Sequence, residues 1–169
     1  MSIQGPKPVE TLPAGRAIPD PDESVREEIR AVLAEHDRLW QALDFAGVAS
    51  LWDLEEGVPI YVGDEYAAPV VGWQDLNRNF GRLGGRLREA AMRSTLLEAH
   101  RAGSDLAIAV YLLEWSLATV ESPERRSGQR WVSAVLRRVG DEWRFIHNAE
   151  SPAYHVDRAD MGSGEAADV

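Results

Sequence analysis

Apolar residues recur every three or four positions from Val25 to Leu43. Val25, Ile29, Val32, Leu33, His36, Leu39, Trp40 and Leu43 form one stripe, the spacing of a helix that buries a single face. The helix opens at "SVRE", where Ser24 and Glu27 have the Ser-x-x-Glu form of a capping box. A second short helix over residues 44–52 turns Phe45, Val48, Leu51 and Trp52 inward. "VPIYVGD" (58–64) and "APVVGW" (68–73) read as short strands around a loop. Trp73, Leu76, Phe80 and Leu83 return to helical spacing, and Gly84-Gly85 stop that helix. From Leu87 the period falls to two. Strands are predicted over 87–101, 105–119, 129–139 and 142–151, divided by Gly103-Ser104, "ESPERRSG" and Gly140-Asp141. Helices followed by a long meander describe an α+β domain, a curved sheet wrapped over about three N-terminal helices.

The turn at Gly140-Asp141 predicts a register for the last hairpin. If these two residues form the tight loop, Leu136 meets Phe145, Ala134 meets His147, and Val132 meets Ala149. That face is apolar apart from the imidazole, so His147 is expected to look inward between small residues that leave room for a ligand. Asn148 and Glu150 fall on the outer face, unless a bend in the strand reverses them. The turn at Gly103-Ser104 pairs Arg101 with Leu106 and Arg93 with Glu114, opposite charges across a ladder. Both faces of these two long strands are apolar, with Met92, Leu96, Tyr111, Leu113 and Trp115 on one. Thr95, Leu97, Ile108, Val110 and Leu112 share the other, and the helices are too few to cover both. The uncovered face predicts a homodimer through the sheet.

Composition narrows the setting. Among 169 residues, 44% are hydrophobic and 27% charged, as in an ordinary globular protein of one domain with tails. Residues 1–23 hold five of the nine prolines and read as an extended arm; 24–157 are the domain, and 158–169 a tail. No apolar run is long enough to span a bilayer, and no secretory signal is visible. The absence of cysteine excludes disulfides and thiolate metal sites and makes a reducing cytoplasm the expected home. A formal charge of −10 opposes general nucleic-acid binding. The local basic stretch "PERRSGQR" (123–130) reads as a solvated hairpin loop.

The order of helix, short helix, "YVGDEYAAPVVGWQDLNRNF", "GSDLAIAVYLLEW" and "RWVSAVLRRVGDEWRFIH" resembles the nuclear transport factor 2-like superfamily, its SnoaL-like branch nearest. The resemblance covers most of residues 24–155. It implies a conical α+β barrel with a mostly apolar pocket, commonly dimeric, in a group that includes polyketide cyclases, steroid isomerases and dehydratases. Many SnoaL-like chains close with two histidines at alternate positions; His147 fits the first and Ala149 stands at the second. Steroid isomerase relatives carry a catalytic aspartate and a helix tyrosine, where this chain offers Asp64 after Gly63, and Leu39 and Trp40. A steroid-isomerase mechanism is therefore not expected, nor is a metal site.

The candidate catalytic groups are His147, as general acid or base, and Tyr61 or Tyr66, stabilising an oxyanion. Trp40, Trp52, Trp73, Phe80, Trp115 and Phe145 are the candidate ligand-contacting rings. Arg93 and Glu114 are possible polar partners, with an edge ion pair the favoured account. Asp53 and Glu55 are taken as a solvated loop, and His36 and His100 as structural. No cofactor is expected, because "GRLGGR" (81–86) follows a helix rather than a strand. Two functions stay open: a cofactor-free isomerase, cyclase or dehydratase for an apolar, oxygenated metabolite, or a non-catalytic dimeric binding module. An open cavity favours the first; one plugged by Trp40, Trp52 or Phe145 favours the second.

Overall fold

A computed structural model describes residues 23–54, 58–63, 66–122 and 124–153. The arm up to residue 22, the tail from residue 154, and Glu55, Asp64 and His155 lie outside the described residues.

The first helix, α1 (Glu23–Gln41), buries Val25, Ile29, Leu33 and Leu39 and packs chiefly on the third strand. The helix begins before Ser24, so the expected capping box does not form there. The Ser24 hydroxyl instead donates to Glu28 Oε1 at 3.2 Å. At its other end Asp44 N donates to Leu39 O and Leu43 N to Trp40 O, the paired bonds of a Schellman stop. Leu43 takes the left-handed position with φ 55°, and its side chain packs against the core. Asp44 then caps α2 (Phe45–Ser50) by accepting from Gly47 N at 2.9 Å. Helix α3 (Trp73–Gly84) buries Leu76 and Phe80.

Six strands form one mixed sheet: β1 (Ile60–Val62), β2 (Val70–Val71), β3 (Leu87–Arg101), β4 (Leu106–Thr119), β5 (Arg125–Val139) and β6 (Glu142–Pro152). Their spatial order is β2-β1-β6-β5-β4-β3. Among the described residues β1 and β6 pair in parallel, and the other neighbouring strands are antiparallel. Strand β5 starts at Arg125, so most of the basic stretch expected as a loop is ladder. The helices cover the inner face, where Ala109, Tyr111, Leu113, Val132, Leu136 and Phe145 join the buried core. Among the described residues no helix is long and apolar enough to cross a membrane.

Two irregularities decide which side chains look inward. Arg93 faces Glu114 as predicted, but a bulge between Leu96 and Glu98 shifts the far end, pairing Arg101 with Ala107 rather than Leu106. In β6 the predicted register holds from Val139–Glu142 to Leu136–Phe145. Then Ile146 is left over, and Val135 pairs with His147 and Ala134 with Asn148. One extra residue exchanges the faces of everything after it.

Three carboxylates are among the polar anchors that hold the helices and their ends to the sheet. Glu28 of α1 accepts from Trp143 Nε1 and from Arg138, whose guanidinium also lies over the Trp143 ring. Asp37 accepts from Ser94 N at 2.6 Å and Ser94 Oγ at 2.8 Å. Asp53 is buried and paired with Arg137, which corrects the expectation of a solvated loop. Its backbone continues a parallel bridge in which Phe145 N donates to Leu51 O and Asp53 N to Phe145 O. The carboxylate therefore fixes the end of α2 to the last hairpin.

Candidate functional site

Between the helices and the concave face lies a cavity of about 470 Å³, within the range of small-molecule sites. Trp40, Trp52, Tyr61, Tyr66, Phe80, Trp115 and Phe145 all border it, so seven of the expected site residues meet around one space. Their rings brace one another edge to face. Trp52 stands 6.4 Å from Tyr61, and Tyr61 5.9 Å from Tyr66, centroid to centroid. Such contacts hold large side chains at a wall without filling the space in front of them.

The bulge at Ile146 sets the polar part of the wall. Asn148 and Glu150 turn inward, each facing the cavity. Tyr61, paired with Asn148 across the parallel β1–β6 ladder, donates its hydroxyl to Glu150 Oε1 at 3.1 Å. Arg130 Nε lies 3.4 Å from Glu150 Oε2, with both side chains under one-fifth exposed (17% and 11%). The Arg130 guanidinium also stacks 5.3 Å from the Trp115 ring centre. Tyr66 donates to Asn79 Oδ1 at 2.8 Å. Deeper in the wall, Asn148 Nδ2 donates to Tyr111 Oη at 3.2 Å. Burial first, and then the charge of Glu150, push the Tyr111 phenol well above its ordinary range, so it stays protonated.

His36 also borders the cavity. Its Nε2 accepts from Trp40 Nε1 at 2.9 Å, and its Nδ1 lies 3.3 Å from Asp37 Oδ1. That pattern sets the tautomer, with hydrogen on Nδ1 and the Nε2 lone pair already engaged by the indole. His36 is thus a bracing group at the cavity, not merely a core residue.

His147 stands elsewhere. It pairs with Val135 on one side and Ile60 on the other, on the outer face of the sheet, and takes no part in lining the cavity. The expected inward imidazole is corrected by the extra residue at Ile146. Trp73 is corrected as well: it begins α3 and is 46% exposed, away from the cavity. Arg93 and Glu114 form a pair at 3.8 Å, 80% and 40% exposed, outside the cavity as an edge ion pair. Sequence reasoning missed Glu150, Asn148 and Arg130 as pocket groups. The signal for Glu150 and Asn148 was a shift of one residue in β6; Arg130 lies on β5, two residues before the inward Val132, within the stretch expected as a solvated loop.

The sequence matches no protein-family model and no curated protein. Solved structures, however, match well. A candidate scytalone dehydratase from Novosphingobium aromaticivorans superposes with a TM-score of 0.70 at 9% identity, covering 80% of this chain and 91% of that one. A nuclear transport factor 2-like superfamily protein from Salmonella enterica serovar Typhimurium gives 0.66 at 13% identity, covering 85% and 97%. The fold is the nuclear transport factor 2-like α+β cone. A third match within this fold, the hexachlorocyclohexane dehydrochlorinase LinA type 2, gives 0.65 at 12% identity, covering 78% and 87%. The nuclear transport factor 2-like cone thus carries unlike substrates, and its presence here leaves the reaction to be argued from the site.

Proposed function

We propose that this protein is a cofactor-independent lyase or isomerase for an apolar, oxygenated small molecule of aromatic or polyketide-like character, with Glu150 as the proton-transferring group. One observation carries the reading. In an open cavity walled by aromatic rings, a carboxylate meets both a tyrosine hydroxyl and a guanidinium. The rings exclude water from an apolar ligand, while Arg130 compensates the charge of Glu150 in a site of low dielectric.

The chemistry follows from these three groups. The Glu150 carboxylate takes a proton from carbon beside a carbonyl, and the C–H electron pair moves into the enolate. Once protonated, Glu150 needs the Tyr61 hydroxyl less, and that O–H is released to stabilise the enolate oxygen. Glu150 then returns the proton, to another carbon in an isomerisation or to a departing hydroxyl in a dehydration. His36, with Nε2 occupied by Trp40, holds the wall rather than moving the proton. The named neighbours, a candidate dehydratase and a dehydrochlorinase, are consistent with this class without assigning it.

The outer face of the sheet supports the proposal that two copies pair through it. Leu97, Val110 and Trp131 are exposed there, which is uncommon for a monomer's sheet. Light scattering should give twice the chain mass, and Trp131→Glu should give the single-chain mass.

The test of the reaction is a thermal-shift screen of aromatic and polyketide-like ketones, followed by proton NMR in deuterium oxide. Exchange at the carbon beside the carbonyl, faster with wild type than with Glu150→Gln, supports the proposal. Ligands that bind but never exchange or turn over would leave a binding module in its place.

A further inference from the structure

Four buried side-chain atoms among the described residues have no hydrogen-bond partner: Arg26 Nε, Arg138 Nε, Trp115 Nε1 and Asn148 Oδ1. Both arginines spend other nitrogens, on Leu97 O and on Glu28. The remaining two atoms belong to residues that border the cavity. A buried donor or acceptor without a partner bears its full desolvation cost, and such groups in folded proteins call for an explanation. Here one is a donor and the other an acceptor.

Their places along the cavity differ. Asn148 reaches Tyr111 on β4, whereas Trp115 sits four residues further along the same strand, roughly 13 Å away at the backbone. The Tyr111 end is fully buried. Beyond Trp115, toward the exposed residues Glu121, Glu124 and Arg126, lies the mouth. Glu150 shares the Tyr111 rung through Val132, one step toward the mouth from the Asn148 rung at Ala134 and Ala109, and Arg130 shares the rung of Leu113, between Tyr111 and Trp115.

From this the geometry points to an elongated ligand bearing a hydroxyl at its inner end, donated to Asn148 Oδ1, and a carbonyl toward the mouth, accepting from Trp115 Nε1. This inference rests on the proposed use of the cavity and narrows its substrate class to hydroxy-carbonyl compounds. Both atoms are closed off from the free space, so entry of the ligand must turn the amide and the indole toward it. A site that hydrogen-bonds a ligand group discriminates strongly against an analogue lacking it, because its own buried group is then left unmet.

Four probes test the inference in the unmodified full chain: 6-acetyl-2-naphthol, its methyl ether, 2-acetylnaphthalene and 2-naphthol. Calorimetric titration should show 6-acetyl-2-naphthol binding about tenfold more tightly than each of the other three, the effect of one satisfied buried hydrogen bond. Asn148→Leu should abolish the preference over the methyl ether and 2-acetylnaphthalene, and Trp115→Phe the preference over 2-naphthol. The wild-type series stands even if either variant fails to fold. Similar affinity for all four, or loss of either preference in wild type, overturns the inference while leaving a cavity that binds apolar compounds. Failure of all four to bind overturns both.

Discussion

The Tyr61 hydroxyl donates to Glu150 Oε1 at 3.1 Å, joining the short first strand to the last one across a parallel ladder. The bond places a phenol and a carboxylate where one can release its hydrogen as the other gains a proton. Glu150→Gln should therefore lower turnover about 10²–10⁴-fold, the usual contribution of a positioned acid–base group, with ligand affinity changed far less. Tyr61→Phe should lower kcat more than it raises KM. His147→Ala, on the outer face, should leave both parameters near wild type. Steady-state kinetics on any compound showing exchange distinguishes the three variants.

The contrast between Glu150 and His147 shows how much of the site could be read from the sequence. The period of two located β6, and the Gly140-Asp141 turn fixed its first four rungs correctly. What followed depended on Ile146, an ordinary β-branched residue with nothing in its type to announce a bulge. Shifting a strand by one residue exchanges its faces, so a local event invisible to composition moved the imidazole out and the carboxylate in. The aromatic wall was less exposed to this error. Trp40, Trp52 and Phe80 lie on helices or their ends, and Trp115 and Phe145 lie where the predicted register holds. Trp73 misled because helical spacing marks an apolar stripe, but the first residue of a helix has no preceding turn to pack against.

Asp53 is buried and paired with Arg137, which keeps partial exposure (24% against 2% for the two side chains). Replacing Asp53 by Ala takes this carboxylate away from Arg137 and frees the junction of α2 with the last hairpin. Loss of one member of a buried pair costs about 3–5 kcal/mol. The double variant Asp53→Leu with Arg137→Met should recover part of that loss, since both charges of this pair are gone together. Urea unfolding of the two variants and wild type checks the order.

Glu28 predicts a dependence on acidity. The hydrogen bond from Trp143, then the charge and hydrogen bond of Arg138, hold its carboxyl below the ordinary value of 4.5. A group whose folded pKa is depressed contributes stability that is whole above its unfolded pKa and disappears as pH falls through the folded one. The difference in Tm between wild type and Glu28→Gln should stay constant from pH 7 to about 5 and shrink below 4.5. Because the side chain is partly exposed, added salt should shrink it as well. Thermal melts across that range, at low and high salt, measure both trends.

Gly128 offers a way to alter the cavity wall from behind, without replacing any residue that borders the cavity. It faces Trp115 across the β4–β5 ladder, and the indole lies over it so closely that an added Cβ would stand 2.8 Å from Trp115 Cζ2. The glycine's backbone is not in the left-handed region that only glycine tolerates, so the indole is the obstacle to a side chain there. Gly128→Ala must therefore lift the Trp115 ring, at a cost of about 1–3 kcal/mol, and weaken its stacking with Arg130. The lifted ring shifts its emission and presses on the ligand space, so affinity for aromatic probes should fall several-fold. Gly128→Ala with Trp115→Ala should restore the strand's stability relative to Trp115→Ala alone, since nothing is left for the methyl to strike. Emission spectra, probe titrations and unfolding of this pair of variants decide whether the glycine is there to seat the ring.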